Sequence, residues 1–226
     1  MRKVILRICF YSGILVGSMA LAQPVSANTG MEKKAENQQN VSLQAKKWNK
    51  HNWYKKVLRK QKGSYKTQCW NYANSYDYKK VRTKLASYSY YKVADINGDG
   101  TRELLLSTSS TGQGFESQVL VLTYRSGKVK PLILFDSLRN GLFLRDGKMY
   151  AQVGGSTESI ITGYKIKNGK AKQFVKLERL RRWLNGSLDE VTTYWKNGKQ
   201  ISEAKYNTEC EKTVAYQTPV SFSKIQ

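Results

Sequence analysis

The hydrophobic and polar positions change their period along the chain. Ile8 to Ala22 is an uninterrupted, uncharged and mostly apolar run of 15 residues. From Val41 to Lys62 the spacing is helical, with Trp53, Val57 and Leu58 on one face and Leu43 and Trp48 extending it upstream. Gly63-Ser64 breaks that pattern, and Ser64 is a suitable N-cap for a new helix. Tyr65, Cys69, Tyr72, Ala73 and Tyr76 then stand at offsets 0, 4, 7, 8 and 11, which predicts a second amphipathic helix continuing to Leu85.

Beyond Ser87 the pattern turns to strands. Tyr88–Ala94, Leu104–Leu106 and Val119–Tyr124 read as three of them. A strand–turn–strand theme then recurs at Gly127-Lys128, Gly147-Lys148, Gly169-Lys170 and Gly198-Lys199. The residues before these glycines are Ser126, Asp146, Asn168 and Asn197, and Asn-Gly and Asp-Gly supply the positive φ of tight hairpins. The glycine spacings are 20, 22 and 29 residues, too uneven for a propeller, so an antiparallel meander is predicted. Leu177–Leu184 reads as a short helix, Ser202–Val214 as another, and Val220–Ile225 as a closing strand. Helices first and hairpins after predict an α+β fold: N-terminal amphipathic helices, then a hairpin meander.

The ends of the pattern suggest export. Arg2, Lys3 and Arg7 precede the apolar run, and two small-x-small sites close it, ending at Ala22 and Ala27. Residues 1–27 are read as a signal peptide, with cleavage preferred after Ala27; an uncleaved anchor is the competing reading. Residues 28–44 form a polar, disordered tail, and 45–226 a single α+β domain. No later segment is apolar enough to span a membrane.

Asp95-Ile96-Asn97-Gly98-Asp99-Gly100-Thr101-Arg102-Glu103 is the sharpest motif. Oxygen side chains stand at loop positions 1, 3, 5 and 9, and Thr101 at position 7 offers its backbone carbonyl. Gly100 permits the sharp turn between them. Calcium takes 6–8 oxygens, and this spacing supplies most of them. Asp95, Asn97, Asp99, Thr101 and Glu103 are therefore the expected ligands of Ca2+. Position 12 is Leu106 rather than a bidentate Glu, which leaves more of the chelation to Glu103. A tight polar hairpin that binds nothing is the alternative. The segment YYKVADINGDGTRELLLS resembles one found in small secreted or lipid-anchored surface proteins of Gram-positive bacteria, and the strand-loop-strand setting resembles the calcium loops of FG-GAP and VCBS repeats. That resemblance implies calcium and a surface location, and no particular reaction.

Charge adds a second theme. The chain has 39 Lys+Arg against 16 Asp+Glu, a net charge of +23. Between residues 46 and 84 there are 13 basic residues and one acid, Asp77. Lys46, Lys47, Lys50, Lys55, Lys56, Arg59, Lys60 and Lys62 are the candidate polyanion-binding residues, and Trp48, Trp53, Tyr54, Trp70, Tyr72, Tyr76 and Tyr78 are interleaved with the stretch. The helical spacing of these aromatics favours packing on the sheet over stacking on a ligand. Lys176, Arg179, Arg181 and Arg182 extend the charge. Outside a cell the expected partner is an anionic wall polymer or another polyanion, with no specific nucleic acid.

Enzyme chemistry finds little support. His51 is the sole histidine and sits among lysines. Asp136, Glu158, Asp189 and Glu190 have no fixed separation as a glycosidase pair. Gly112-Gln113-Gly114 and Gly154-Gly155-Ser156 are too short to claim phosphate binding. Cys69 and Cys210 either form a disulfide or stay as two free thiols. The expectation is a secreted or cell-surface, monomeric, non-enzymatic calcium protein held at the envelope by its charge. A secreted hydrolase of wall polysaccharide or nucleic acid, and an extracellular protein-binding module, are the alternatives.

Overall fold

The computed structural model describes residues 49–71, 80–183, 190–214 and 217–226. They belong to one unit, Ala45–Gln226. The signal peptide and polar tail expected over residues 1–44 lie outside the described residues.

The chain opens with helix α1 (Trp53–Lys60), followed by strands β1 (Ser64–Asn71), β2 (Lys80–Lys84), β3 (Tyr90–Ala94), β4 (Glu103–Ser107), β5 (Gln118–Arg125) and β6 (Lys128–Asp136). Strands β7 (Gly141–Arg145), β8 (Lys148–Gly154), β9 (Glu158–Lys167), β10 (Lys170–Trp183), β11 (Glu190–Lys196) and β12 (Lys199–Ile201) come next. Helix α2 (Glu203–Glu211) and the short strand β13 (Ser223–Lys224) complete it. The first sheet has the order β13-β3-β4-β5-β6-β1-β2, and the second the order β12-β11-β10-β9-β8-β7. All pairings are antiparallel except β1 on β6.

The α+β class with N-terminal helices is therefore corrected. Among the described residues there are two short α-helices against thirteen strands, arranged in two sheets. The predicted helix from Ser64 to Leu85 is extended where it is described: β1 pairs antiparallel with β2 from Ser64↔Lys84 to Gln68↔Lys80. The predicted helix at Leu177–Leu184 lies largely within β10, hydrogen-bonded to β9 on one side and β11 on the other. Helix α1 starts at Trp53, and residues 41–48 are outside the described part. The four Gly-Lys turns do close hairpins, each with positive φ at both central residues, from Ser126 (52°) and Gly127 (75°) to Asn197 (51°) and Gly198 (77°).

Period-two alternation explains the layers. In β5, Val119 and Val121 face inward, with Leu105 of β4 and Ile133 and Phe135 of β6. They meet Leu142, Met149, Ala151, Val153, Ile160 and Tyr164 of the second sheet, and Phe135 packs edge-on against Tyr164 at 5.5 Å. The intervening residues Leu104, Leu106, Leu120, Leu122 and Leu134 face outward and are covered by Trp53 and Val57 of α1, with Leu85 and Tyr88. On the far side of the second sheet, Phe143, Tyr150, Ile161, Val175 and Leu177 pack with Tyr206 of α2 and Val214. The layers thus run α1, first sheet, second sheet, α2.

Trp53 fastens the first layer. It is 1% exposed, stacks on Tyr124 at 6.0 Å, and donates its indole N–H to the Arg102 carbonyl at 3.1 Å. Trp53→Ala is expected to destabilise the fold by about 3–5 kcal/mol. Trp53→Phe keeps most of the packing and leaves the Arg102 carbonyl without its donor, at about 1–3 kcal/mol. Urea unfolding with an unchanged slope measures both.

Candidate functional site

The 95–103 loop joins β3 to β4, which pair from Tyr90↔Ser107 to Ala94↔Glu103. Its turn is made by its own polar groups. Gly100 donates its N–H to Asp95 Oδ2 at 2.9 Å, and Thr101 donates to Asp99 Oδ1 at 2.7 Å. Asn97 Nδ2 donates to Asp99 Oδ2 at 3.0 Å, and the Asp99 N–H reaches Asn97 Oδ1 at 3.4 Å. Gly98 and Gly100 both have positive φ, 70° and 78°, which lets five residues fold back on themselves. The side chains of Asp95, Asn97 and Asp99 are thereby gathered by hydrogen bonds within one turn.

Glu103 behaves differently. It is fully buried on the inner face of the first sheet, in step with Leu105. Its Oε2 accepts the Ile96 N–H at 3.0 Å, and its Oε1 accepts the Thr123 hydroxyl of β5 at 2.9 Å. The carboxylate ties the start of the loop to the sheet. Ile96 itself inserts into the core between the sheets. Burial pushes the Glu103 carboxyl up to about 7; the bonds from Ile96 and Thr123 oppose the rise, and Asp99 and Asp95 add to it.

A cation from outside the loop stands beside it. The Lys50 ammonium lies 3.4 Å from where a Cβ on Gly100 would stand. Burial alone would raise the Asp99 carboxyl; the hydrogen bonds from Asn97 and Thr101, helped by Lys50, outweigh it and hold the group below its ordinary value. Among the described residues no group of three His, Cys, Asp or Glu side chains is arranged to hold a metal. The donor set this loop can offer is mixed: Asp95, Asn97 and Asp99 side chains with the Thr101 carbonyl. This oxygen set has the hard character that calcium takes. Glu103, fully buried on the inner face and bonded to Thr123 of β5, stands behind that set rather than within it.

Other predicted residues are scattered. Lys46 and Lys47 lie outside the described residues, whereas Lys55, Lys56, Arg59, Lys60 and Lys62 are exposed on and after α1. Lys50, grouped with them by sequence, stands at the loop instead. Trp53 and Trp70 are core residues, 1% and 3% exposed. Cys69 and Cys210 are both free thiols, the second of the two readings left open by the sequence. Cys69 lies on the outer face of the first sheet and Cys210 within α2, on the far side of the second. Burial, with the Asp136 charge, pushes the Cys69 thiol up to about 12. Asp136 accepts from Asn71 Nδ2 at 2.6 Å and Gln118 Nε2 at 3.0 Å, while Glu190 pairs with Arg181. Asp189 is outside the described residues.

No family model matches the chain, and no curated protein matches it. It has 15% identity to a solved structure described as a Xanthomonas Type IV Secretion System related protein, with a TM-score of 0.32. The match covers 49% of this chain and 56% of that one, so the chain spans little more than half of that protein's length. So slight a likeness bears on neither fold nor role. No helix among the described residues is long and apolar enough to cross a membrane.

Glu103 makes stability depend on pH. Its folded pKa lies above the ordinary 4.5, so the folded state holds the proton more tightly. This contribution is full below about pH 4.5 and is lost as pH rises through about 7. In chelator, the wild type is expected to lose more stability between these limits than Glu103→Gln. Parallel urea titrations measure the difference.

Proposed function

We propose that this chain is an exported, non-enzymatic protein that binds calcium in the 95–103 loop and is retained at a bacterial cell envelope by attraction to anionic wall polymers. The observation that carries the reading is the gathering of Asp95, Asn97 and Asp99 within one turn by their bonds to the loop backbone. The signal-like residues 1–27 support the location, and the net charge, +23 for the whole sequence and +20 without those residues, supports the mode of retention. The proposed ligands are the side-chain oxygens of Asp95, Asn97 and Asp99 and the carbonyl of Thr101. Glu103 holds the loop from beneath through Ile96. A divalent ion would lower the Glu103 pKa by the same charge logic that Asp95 and Asp99 use to raise it.

The calcium's role in this reading is structural. Affinity is expected at about 10⁻⁴–10⁻³ M, the range of extracellular modules. At ten times Kd, calcium would stabilise the fold by about 1.4 kcal/mol. For a domain of this size that raises Tm by about 3–6 °C. Asp95→Ala and Asp99→Ala are expected to remove the rise. Lys50→Ala is expected to tighten calcium binding, because it removes a positive charge from beside Asp99. A melting curve that calcium leaves unmoved in the wild type would reduce the loop to a turn.

Retention on purified Gram-positive cell walls is expected to fall steeply between about 0.1 and about 1 M NaCl, as the Debye length shrinks from about 10 to about 3 Å. Walls stripped of their anionic polymers should retain little. Retention that resists both treatments would indicate a specific protein partner.

A further inference from the structure

Directly opposed residues on neighbouring strands share a face, and successive residues along a strand alternate. In the second sheet Leu144 opposes Met149, and Met149 opposes Tyr164; all three pack into the core between the sheets. Ile166 and Ala171 oppose each other and pack there too. Their neighbours Arg145, Lys148, Lys165 and Lys172 therefore point the other way, onto the face that carries α2.

These outward residues are in register. Arg145 of β7 lies opposite Lys148 of β8, Lys148 opposite Lys165 of β9, and Lys165 opposite Lys172 of β10. Four cations thus form one row across four adjacent strands, about 14 Å long at the usual strand spacing. Lys167 and Lys170 make a further opposed pair on the same face, where β9 turns into β10. Like charges directly opposed destabilise a sheet, so the row costs stability when nothing is bound to it.

The cations are not equally engaged. Arg145 pairs with Asp146 at 3.4 Å and donates to the carbonyls of Glu211 at 2.6 Å and Thr213 at 3.4 Å. Lys165, Lys167, Lys170 and Lys172 are exposed, and Lys148 is half-buried. Among the described residues none of these five lysines forms an ion pair. Helix α2 packs further along the same face, with Ile161, Val175 and Leu177.

Two aromatic rings adjoin the row, and both are used in packing. A Cβ on Gly163 would stand 2.9 Å from Phe174 Cζ and from Tyr150 Cε1, so both rings rest on the bare backbone of β9. They meet edge-on at 5.9 Å, Tyr150 is buried, and the Lys148 ammonium stands over the Phe174 ring. The groups this surface offers a ligand are its ammonium groups. A compact anion would meet such a row at one point, whereas a linear chain of anions meets it along its length. Rings already packed and ammonium groups in line suit a polymer recognised through backbone charge rather than through stacked bases.

We infer that the Lys148–Lys165–Lys172 row is the binding track for a linear phosphodiester-linked polyol. The inference rests on the proposed retention by anionic wall polymers and gives that retention an address. It moves the recognition surface from α1 to the outer face of the second sheet.

The test uses a short poly(glycerol phosphate) oligomer and two variants matched in charge. One is Lys148→Gln/Lys165→Gln/Lys172→Gln. The other is Lys55→Gln/Lys56→Gln/Lys60→Gln on α1. The row variant is expected to lose at least about tenfold in affinity, and its binding should become less salt-dependent by about 0.7–0.9 in the log–log slope per lysine engaged. The α1 variant should bind nearly as the wild type does. Bound oligomer should also protect Lys148, Lys165 and Lys172 of the wild type from acetylation more than Lys55, Lys56 and Lys60, read by mass spectrometry. That measurement decides the matter if the row variant fails to fold.

Equal losses in the two variants, with no selective protection, would overturn the row while leaving charge-based retention standing. Failure of the wild type to bind the oligomer at low salt would overturn both. Tighter binding of single-stranded DNA with the same phosphate count would overturn the choice of ligand.

Discussion

The whole molecule depends on strands that are buried on both faces. All five residues of β4 are buried, and in β5 and β6 the runs Val119–Thr123 and Leu132–Phe135 are buried without interruption. Each fully buried Leu or Val contributes about 1.5–3 kcal/mol relative to exposure. A sheet built this way cannot leave either side to water. The second sheet covers one side and α1 the other. Once α1 is held there, Trp53 reaches the Arg102 carbonyl and fixes the exit of the 95–103 loop. On the opposite face Ile96 enters the core and Glu103 accepts its N–H, which fixes the entrance. The loop's shape thus results from burial on both sides of the strands it joins.

Much of this arrangement is readable from local pattern, and the failures have a definable cause. The hairpin turns are legible because the type of turn depends on two adjacent residues, such as Asn168-Gly169. The stripe from Tyr65 to Cys69 misleads because an offset of four places two residues on one face of a helix and also on one face of a strand. Tyr65, Thr67 and Cys69 share the outer face of β1, and Thr67 and Cys69 are buried there. The odd offsets that favour a helix fall at residue 72 and beyond, outside the described residues. In β10 the Leu177–Leu180 spacing imitates a helix, but Val175 and Leu177 are the buried pair, and they alternate as a strand requires. Pairing with β9 and β11 decides the conformation there, and no window along a single segment contains it.

The same limit separates the legible part of the site from the rest. Asp95, Asn97 and Asp99 can be grouped because their contacts lie within five residues. The position of Glu103 needs Thr123, twenty residues on and across a strand pairing. By sequence Lys50 belongs to a basic helix, and only the packing of α1 brings it to Asp99.

The lysines on β2 have a ready explanation. β2 is an edge strand of the first sheet, and charged side chains discourage another chain from pairing with it. Edge protection accounts for Lys80, Arg82 and Lys84, and it is indifferent to the sign of the charge. On that account, added salt screens the repulsion among these cations and stabilises the fold.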